Sequence, residues 1–164
     1  MDLKRKTFPI SHVKAVDTTQ GIIEAIVSVF EVIDCYNERI KPGFFKASLE
    51  RRRAKGVWMH EWNKPVAKTL EQRELAPGDP LLPESIKHLG GLYIKGQFNL
   101  ETQRGKEAFS DIAFGIIDEY SIGFVTIRET VDKAGVTELL EGELYEWSPV
   151  LVGANPATGT VSVK

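Results

Sequence analysis

The sequence predicts a single α+β domain over residues 1–164, a mainly antiparallel β-barrel of about six or seven strands with packed helices. The length of 164 residues is that of one ordinary domain. Runs of β-branched and aromatic residues, separated by Gly- and Pro-containing turns, supply the strands. Helical periodicity occurs in only two segments and does not alternate regularly with the strands, so a parallel βαβ sheet is not indicated.

Composition narrows the class of protein. Lysine and arginine number 21 and aspartate and glutamate 23, so the formal charge is −2. Wrapping nucleic acid needs a cationic excess, which argues against nucleic acid as a partner. Cys35 is the only cysteine, which excludes an intrachain disulfide and fits a reducing cytoplasm. No apolar run approaches ~20 residues, so we expect no membrane span. The charged start at residues 1–6 has no apolar segment behind it, so we expect no secretion signal.

The first elements are a strand and a short helix. Residues 22–30 are rich in β-branched and aromatic side chains and predict a buried strand. Residues 44–55 follow a Pro-Gly pair and place Phe45 and Leu49 on one helical face. Gly56 stands where we expect that helix to end.

The middle of the chain predicts three strands and a loop. Residues 57–62 and 66–70 favour two strands interrupted by Asn63-Lys64-Pro65. Residues 77–83 are rich in proline and predict a mobile loop. Residues 91–100 alternate apolar and polar side chains, as a half-buried strand does.

The last third predicts a helix and a hairpin. Thr102 can cap a helix that continues through Ile117, with apolar residues at helical spacing. Residues 119–129 and 136–147 predict two long strands. Together these segments complete the strands and helices of the predicted fold.

The hairpin suggests a chemical site. The sequence predicts the turn at Asp132-Lys133-Ala134-Gly135, because Gly135 can adopt the positive φ that such turns often need. A turn centred between Lys133 and Ala134 places Ser121 directly opposite Glu146. Opposed residues have Cβ atoms roughly 4.5–5.5 Å apart on one face of the sheet. A single bulge between them would turn the serine to the other face.

A serine hydroxyl becomes a good nucleophile when a neutral imidazole removes its proton. The chain has three histidines. His60, between Trp58 and Trp62, is the best placed for a cleft, whereas His12 lies near the chain start and His88 beside the proline-containing loop. The structural alternative stays open, since most strand serines are packed or solvated and most histidines between tryptophans serve structure.

Two other clusters carry weaker hypotheses. The basic group of Arg51-Arg52-Arg53 with Lys46 and Lys55 predicts a solvated helix face, or a contact with an acidic protein partner or nucleic acid. Four residues, His60, Glu61, His88 and Asp111, have zinc-ligand chemistry but lack the usual ligand spacing, so we predict no metal. There is no Gly-x-Ser-x-Gly elbow and no phosphate-binding glycine loop.

Short motifs in a fixed order resemble the tailed-phage prohead protease family, serine endopeptidases related to the herpesvirus assemblins. The best of them is Tyr120-Ser121-Ile122-Gly123-Phe124, which holds the family's Ser-Ile-Gly-Phe motif. The matching segments cover most of the chain and are Asp34, 40–45, 58–61, 65–67, 91–96, 120–124, 146–151 and 154–157. The chain departs from the family pattern at Ala67, where glycine is common, and at Trp147, where a small aliphatic residue is common. We expect Trp147 to change the floor of the cleft.

The resemblance implies an assemblin-like fold and a serine endopeptidase without a cofactor. Ser121 would be the nucleophile, His60 the general base and Glu146 the third member, in a position where assemblins use a second histidine. Oxyanion donors are expected near the Gly153-Ala154-Asn155 loop. Substrates would be the scaffold and the arm of the major capsid protein, cut inside the procapsid in the host bacterial cytoplasm.

Self-cleavage of a longer precursor and a homo-oligomer are both compatible with the resemblance. The main alternative function is a non-catalytic module of the same fold that binds scaffold or capsid protein during assembly. A third alternative is a small-ligand β-barrel, which predicts an enclosed apolar cavity in place of an open cleft.

Overall fold

The computed structural model describes residues 14–16 and 18–164. Neither helix in these residues is long and apolar enough to cross a membrane. The strands and helices are β1 (Lys14–Val16), β2 (Ile22–Val29), β3 (Glu38–Ile40), α1 (Lys46–Arg51), β4 (Lys55–Trp58), β5 (Glu61–Leu75), β6 (Gly91–Phe98), α2 (Gln103–Phe114), β7 (Glu119–Val131), β8 (Thr137–Val150) and β9 (Gly159–Val163).

All nine of these strands belong to one mixed sheet. Its order is β1-β9-β2-β6-β5-β4-β8-β3, and β7 pairs with β8. The pairs β1/β9, β3/β8 and β4/β8 are parallel, while the other pairs are antiparallel. Within the described residues β1 does not pair with β3, so the sheet is open and the closed barrel is not confirmed. Each of these end strands has only three residues, which leaves little ladder for closure.

The long strands lie close to where the sequence predicts them. β2, β6, β7 and β8 match the segments 22–30, 91–100, 119–129 and 136–147 to within a few residues. The short strands β1, β3 and β9 were not predicted. Their few residues carry too little periodicity to indicate a strand, and their partners lie far away in the chain.

The strand predicted over residues 57–62 is wrong, because the chain reverses there. β4 ends at Trp58 and β5 begins at Glu61. Met59 and His60 between them have positive φ angles of 48° and 61°. His60 therefore lies in a tight turn, and β5 runs through the predicted break at Asn63-Lys64-Pro65 to Leu75.

Both helices are shorter than predicted. α1 ends at Arg51, where Gln72 Nε2 donates hydrogen bonds to the carbonyls of Leu49 and Arg52. Gly56 lies inside β4 and does not terminate the helix. Helix α2 begins as predicted, with the Thr102 hydroxyl accepting from a first-turn N–H, but it ends at Phe114 because the next residue is a left-handed glycine.

The predicted loop after β5 is packed against the sheet. Leu82 and Ile86 from this loop are 3% exposed. They join Leu75 and Tyr93 in a second hydrophobic cluster, separate from the main core. The turn is stabilised by a hydrogen bond from Gly78 N to the Lys87 carbonyl at 2.8 Å. The proline-rich composition predicts a loop correctly, but it gives no indication that Leu82 and Ile86 are buried.

Trp147 fills the main core and does not line the cleft, so the expectation for its role is wrong. The side chain is fully buried, and its Nε1 donates to Thr69 Oγ1 at 2.8 Å. Cβ atoms added at Gly56 and Gly96 would lie 2.7 and 2.5 Å from the indole. The indole needs both glycines, because any side chain there would occupy the space of the ring. Successive strand residues point to opposite faces, so Trp147 and its neighbour Glu146 face different surroundings.

Candidate active site

The β7–β8 hairpin has a different register from the predicted one. Ser121 pairs with Ser148, and Gly123 pairs with Glu146. The prediction that Ser121 lies directly opposite Glu146 is therefore wrong by two residues. One residue of the shift arises at the turn, where Val131 pairs with Thr137, and the other at the register irregularity between Gly123 and Phe124. Because side chains alternate with a period of two, a shift of two residues keeps Ser121 on the same face as Glu146.

The glycine opposite Glu146 leaves space for the carboxylate. A Cβ added at Gly123 would lie 2.4 Å from Glu146 Oε1 and 2.9 Å from its Cγ. The Glu146 side chain thus extends over the backbone of β7. Only 2% of Glu146 is exposed, so its carboxylate depends on hydrogen bonds within the protein.

His60 is held beside this carboxylate by the β4–β5 turn. β4 pairs with β8 next to Glu146, which brings the following turn close to the face that carries the carboxylate. The backbone N–H of His60 donates to Ser148 Oγ at 3.0 Å. This bond fixes the turn to β8 at a residue two positions from Glu146.

The carboxylate of Glu146 has two partners. Its Oε1 lies 2.5 Å from His60 Nδ1, and its Oε2 accepts a hydrogen bond from Ser148 Oγ at 2.7 Å. The first contact favours the tautomer that carries its proton on Nδ1, which leaves His60 Nε2 free as a base. The hydrogen bond to Glu146 raises the pKa of His60 above its usual 6.5; burial lowers it, and the charge of Glu146 raises it further.

Ser148 was not predicted as a site residue. Its hydroxyl accepts from the backbone of His60 and donates to Glu146, so it connects the turn to the acid. The Glu-x-Ser spacing in β8 contains a usable signal, because residues i and i+2 of a strand share a face. That spacing alone does not distinguish a partner of the acid from an ordinary strand serine.

Ser121 and His60 line one open cleft of about 150 Å³. The Ser121 hydroxyl makes no hydrogen bond to another residue of the described part of the chain, and the residue is partly exposed. The imidazole is also accessible, with 41% of its side chain exposed. The cleft thus brings together a free hydroxyl and an imidazole that is held by a carboxylate.

The 153–155 loop forms another wall of the cleft. Ala154 and Asn155 line it. The N–H of Gly153 donates to Glu119 Oε2 at 2.7 Å and is therefore already used. The backbone N–H groups of Ala154 and Asn155 have no acceptor among the described residues. These two groups are the remaining donors of the predicted oxyanion loop.

The remaining sequence candidates lie elsewhere. His12 is outside the described residues, and His88 is exposed in the 76–90 loop. No group of three or more potential metal ligands occurs in the described part of the chain. Two arginines of the basic cluster contact β8, since Arg51 pairs with Glu143 and Arg52 lies 4.3 Å from the centre of the Tyr145 ring. All five basic residues are exposed, as a solvated face predicts, but α1 ends at Arg51, so Arg52, Arg53 and Lys55 lie beyond the helix.

Comparison with known proteins identifies the family. A family model described as caudovirus prohead serine protease matches residues 9–164. The chain belongs to this family. It is accordingly a hydrolase of the serine protease type with a role in phage capsid maturation. No curated protein and no solved structure gives a significant match.

Proposed function

We propose that this chain is a serine endopeptidase that cuts scaffold and capsid-protein arms inside the phage procapsid, in the cytoplasm of the host bacterium. Ser121 is the nucleophile, His60 the general base and Glu146 the acid that orients and stabilises His60. The observation that carries the proposal is the contact between His60 Nδ1 and the buried Glu146 carboxylate, at the edge of the cleft that Ser121 also lines.

The mechanism begins with His60 in its neutral form. Nε2 removes the proton from the Ser121 hydroxyl as the oxygen attacks a peptide carbonyl, and the ring becomes an imidazolium that Glu146 stabilises. His60 then gives this proton to the departing amine. A water molecule, deprotonated by the same nitrogen, releases the acyl group and restores the serine. The mechanism requires the Ser121 hydroxyl to come within hydrogen-bond distance of Nε2 when the substrate binds.

The tetrahedral intermediate needs hydrogen-bond donors for its oxyanion. We assign this role to the unpaired backbone N–H groups of Ala154 and Asn155 in the wall of the cleft. Such donors contribute about 3–4 kcal/mol each to transition-state stabilisation in serine proteases. Asn155 is held in place by a hydrogen bond from its Nδ2 to the Val29 carbonyl at 2.8 Å.

A non-catalytic assembly module of the same fold remains the second candidate. The observation that favours it is the Ser121 hydroxyl, which has no hydrogen bond to His60 in the described residues. A module that only binds scaffold or capsid protein would not need the buried Glu146 to hold an imidazole at the cleft. For this reason we favour the peptidase.

The deciding experiment is co-expression with the capsid and scaffold proteins of the same phage, followed by mass spectrometry of all products. Ser121→Ala and His60→Ala should abolish cleavage, while the matched controls Ser110→Ala and His88→Ala should cut like the wild type. Cleavage at the wild-type rate in both site variants would eliminate the proposed site. Binding without cleavage by the wild type would favour the assembly module.

Self-cleavage is tested in the same way. A longer precursor with wild-type Ser121 should lose mass on expression, whereas its Ser121→Ala variant should keep its full mass. Equal intact masses would count against self-processing.

A further inference from the structure

The cleft beside Ser121 carries negative charge at one end. Asp34 and Glu38 line it, together with Tyr36 between them in the chain. Asp34 Oδ1 accepts hydrogen bonds from the backbone N–H groups of Tyr36 and Glu38 at 2.9 and 3.0 Å. This turn fixes the positions of both carboxylates relative to the cleft.

No cation of the described chain neutralises these two carboxylates. The Glu38 carboxylate forms no ion pair and no hydrogen bond with another described residue, and Asp34 forms no ion pair. The nearest basic residues in sequence are already occupied. Arg39 pairs with Asp132 and Glu138 at 2.9 and 2.7 Å, and Lys41 pairs with Glu31.

The environment of Glu38 shows the same shortage of positive charge. Its pKa is raised first by burial, then by the charge of Asp34 and then by that of Glu129. A positive charge placed beside Glu38 would relieve this repulsion. These three neighbouring carboxylates have no counter-charge in the part of the chain that the structure describes, so they favour a cation that comes from elsewhere.

The rest of this end of the cleft suits a long aliphatic stem. Val27, Val32 and Ile40 provide apolar surface along the wall. Tyr36 stands at the rim with 73% of its surface exposed, where its ring can contact a cation. Ser28 also lines the cleft, is 1% exposed, and has a hydroxyl with no hydrogen-bond partner among the described residues.

We propose that this end of the cleft is a specificity subsite for a lysine or arginine side chain that adjoins the scissile bond. The methylene stem lies on the apolar wall, and the ammonium or guanidinium group reaches Asp34 and Glu38 under the ring of Tyr36. The inference rests on the proposed function, because it names the substrate class of the same site. A glutamate or aspartate in this position is rejected, since it would add a further negative charge.

The test is a peptide library in which each position from three residues before to three residues after the bond is varied. Matched peptides carry lysine, arginine, glutamate or norleucine, which has an aliphatic chain without the charge. Peptides cut by the wild type but not by Ser121→Ala are scored by kcat/KM. We expect lysine or arginine to exceed norleucine by about tenfold at one position, the size of a partly shielded ion pair.

Variants of Glu38 test whether its carboxylate causes the preference for lysine or arginine. Glu38→Gln should lose most of the preference for the cationic peptide over the norleucine peptide. Glu38→Lys should invert it in favour of glutamate. The control Glu50→Gln, an exposed carboxylate on α1, should keep the wild-type preference.

Equal rates for the lysine and norleucine peptides at every position would overturn the subsite. A preference that survives in both Glu38 variants would overturn it as well. Loss of the subsite leaves the proposed function intact as long as Ser121→Ala is inactive. If Ser121→Ala cuts as fast as the wild type, the proposed function itself fails, and the subsite fails with it.

Discussion

At the scale of single residues, the candidate site depends on the buried carboxylate of Glu146. Its two oxygens bind His60 and Ser148, so neither is left unsatisfied in the protein interior. The sequence predicts His60, Ser121 and Glu146 from residue chemistry and motif order. Ser148 was missed, because a serine two residues from an acid in a strand has no distinctive pattern of its own.

Glu146→Gln tests the role of the carboxylate through the pH dependence of cleavage. His60 must be neutral to accept a proton, so wild-type activity falls as the pH drops through a His60 pKa that Glu146 holds above 6.5. The glutamine removes the negative charge and can offer His60 Nδ1 only a weaker, neutral hydrogen bond, while the burial that lowers the pKa stays. We expect kcat to fall by roughly 10²–10⁴-fold and the midpoint of the acid limb to move to lower pH.

The measurement is kcat/KM against pH for wild type, Glu146→Gln and the control Glu141→Gln on the same strand. The control should keep the wild-type rate and midpoint. An acid limb that stays in place or moves to higher pH in Glu146→Gln would show that this carboxylate does not set the His60 pKa.

At the scale of elements, the site is produced by the β7–β8 hairpin and the β4–β5 turn. The predicted hairpin register is wrong by two residues, yet the face is correct because the strand repeat is two residues. A register error of one or three residues would have placed Ser121 on the opposite face of the sheet. The β4–β5 turn was predicted as strand, since the apolar run before His60 gives no indication of the positive φ angles at Met59 and His60.

Gly123→Ala tests the space that β7 leaves for Glu146. The new Cβ would lie 2.4 Å from Glu146 Oε1, so the carboxylate must move away from His60 Nδ1. We expect cleavage to fall at least tenfold in protein that is still folded, as judged by circular dichroism.

Gly142→Ala on β8 is the comparison, because its Cβ would lie 2.1 Å from the Phe44 ring in the core. This variant should lower thermal stability more than it lowers activity per folded molecule. If Gly123→Ala retains wild-type activity, the proposed crowding at Glu146 is incorrect.

At the scale of the whole molecule, the same open sheet contributes to both the cleft and the main hydrophobic core. Trp147 lies in the core and does not line the cleft. Trp147 is adjacent to Glu146 in sequence but packs among Gly56, Gly96 and Thr69. Two glycines from separate strands compensate for one large side chain. The presence of Trp147 in the sequence does not predict that Gly56 and Gly96 make room for it.

Trp147→Phe tests the separation of core and cleft. The variant loses the hydrogen bond to Thr69 and part of the buried ring, so we expect the free energy of unfolding to fall by about 2–3 kcal/mol. Activity per folded molecule should change little, because the indole does not line the cleft.

Urea unfolding and a peptide-cleavage assay provide the two measurements. Trp62→Phe is the control, since Trp62 is 67% exposed and its loss should change stability by no more than about 0.5 kcal/mol. A large loss of activity without a loss of stability in Trp147→Phe would place this residue in the site after all.

The sequence by itself determined the long strands, the start of α2, the family and the three candidate side chains, because these depend on local periodicity and on short motifs. Only the tertiary structure decided the hairpin register, the turn that holds His60, the direction of Trp147 and the open sheet. Those features depend on bulges, backbone angles and contacts between distant segments. The physical reason is that such contacts are set by packing and hydrogen bonding across the sheet, which local residue patterns do not encode.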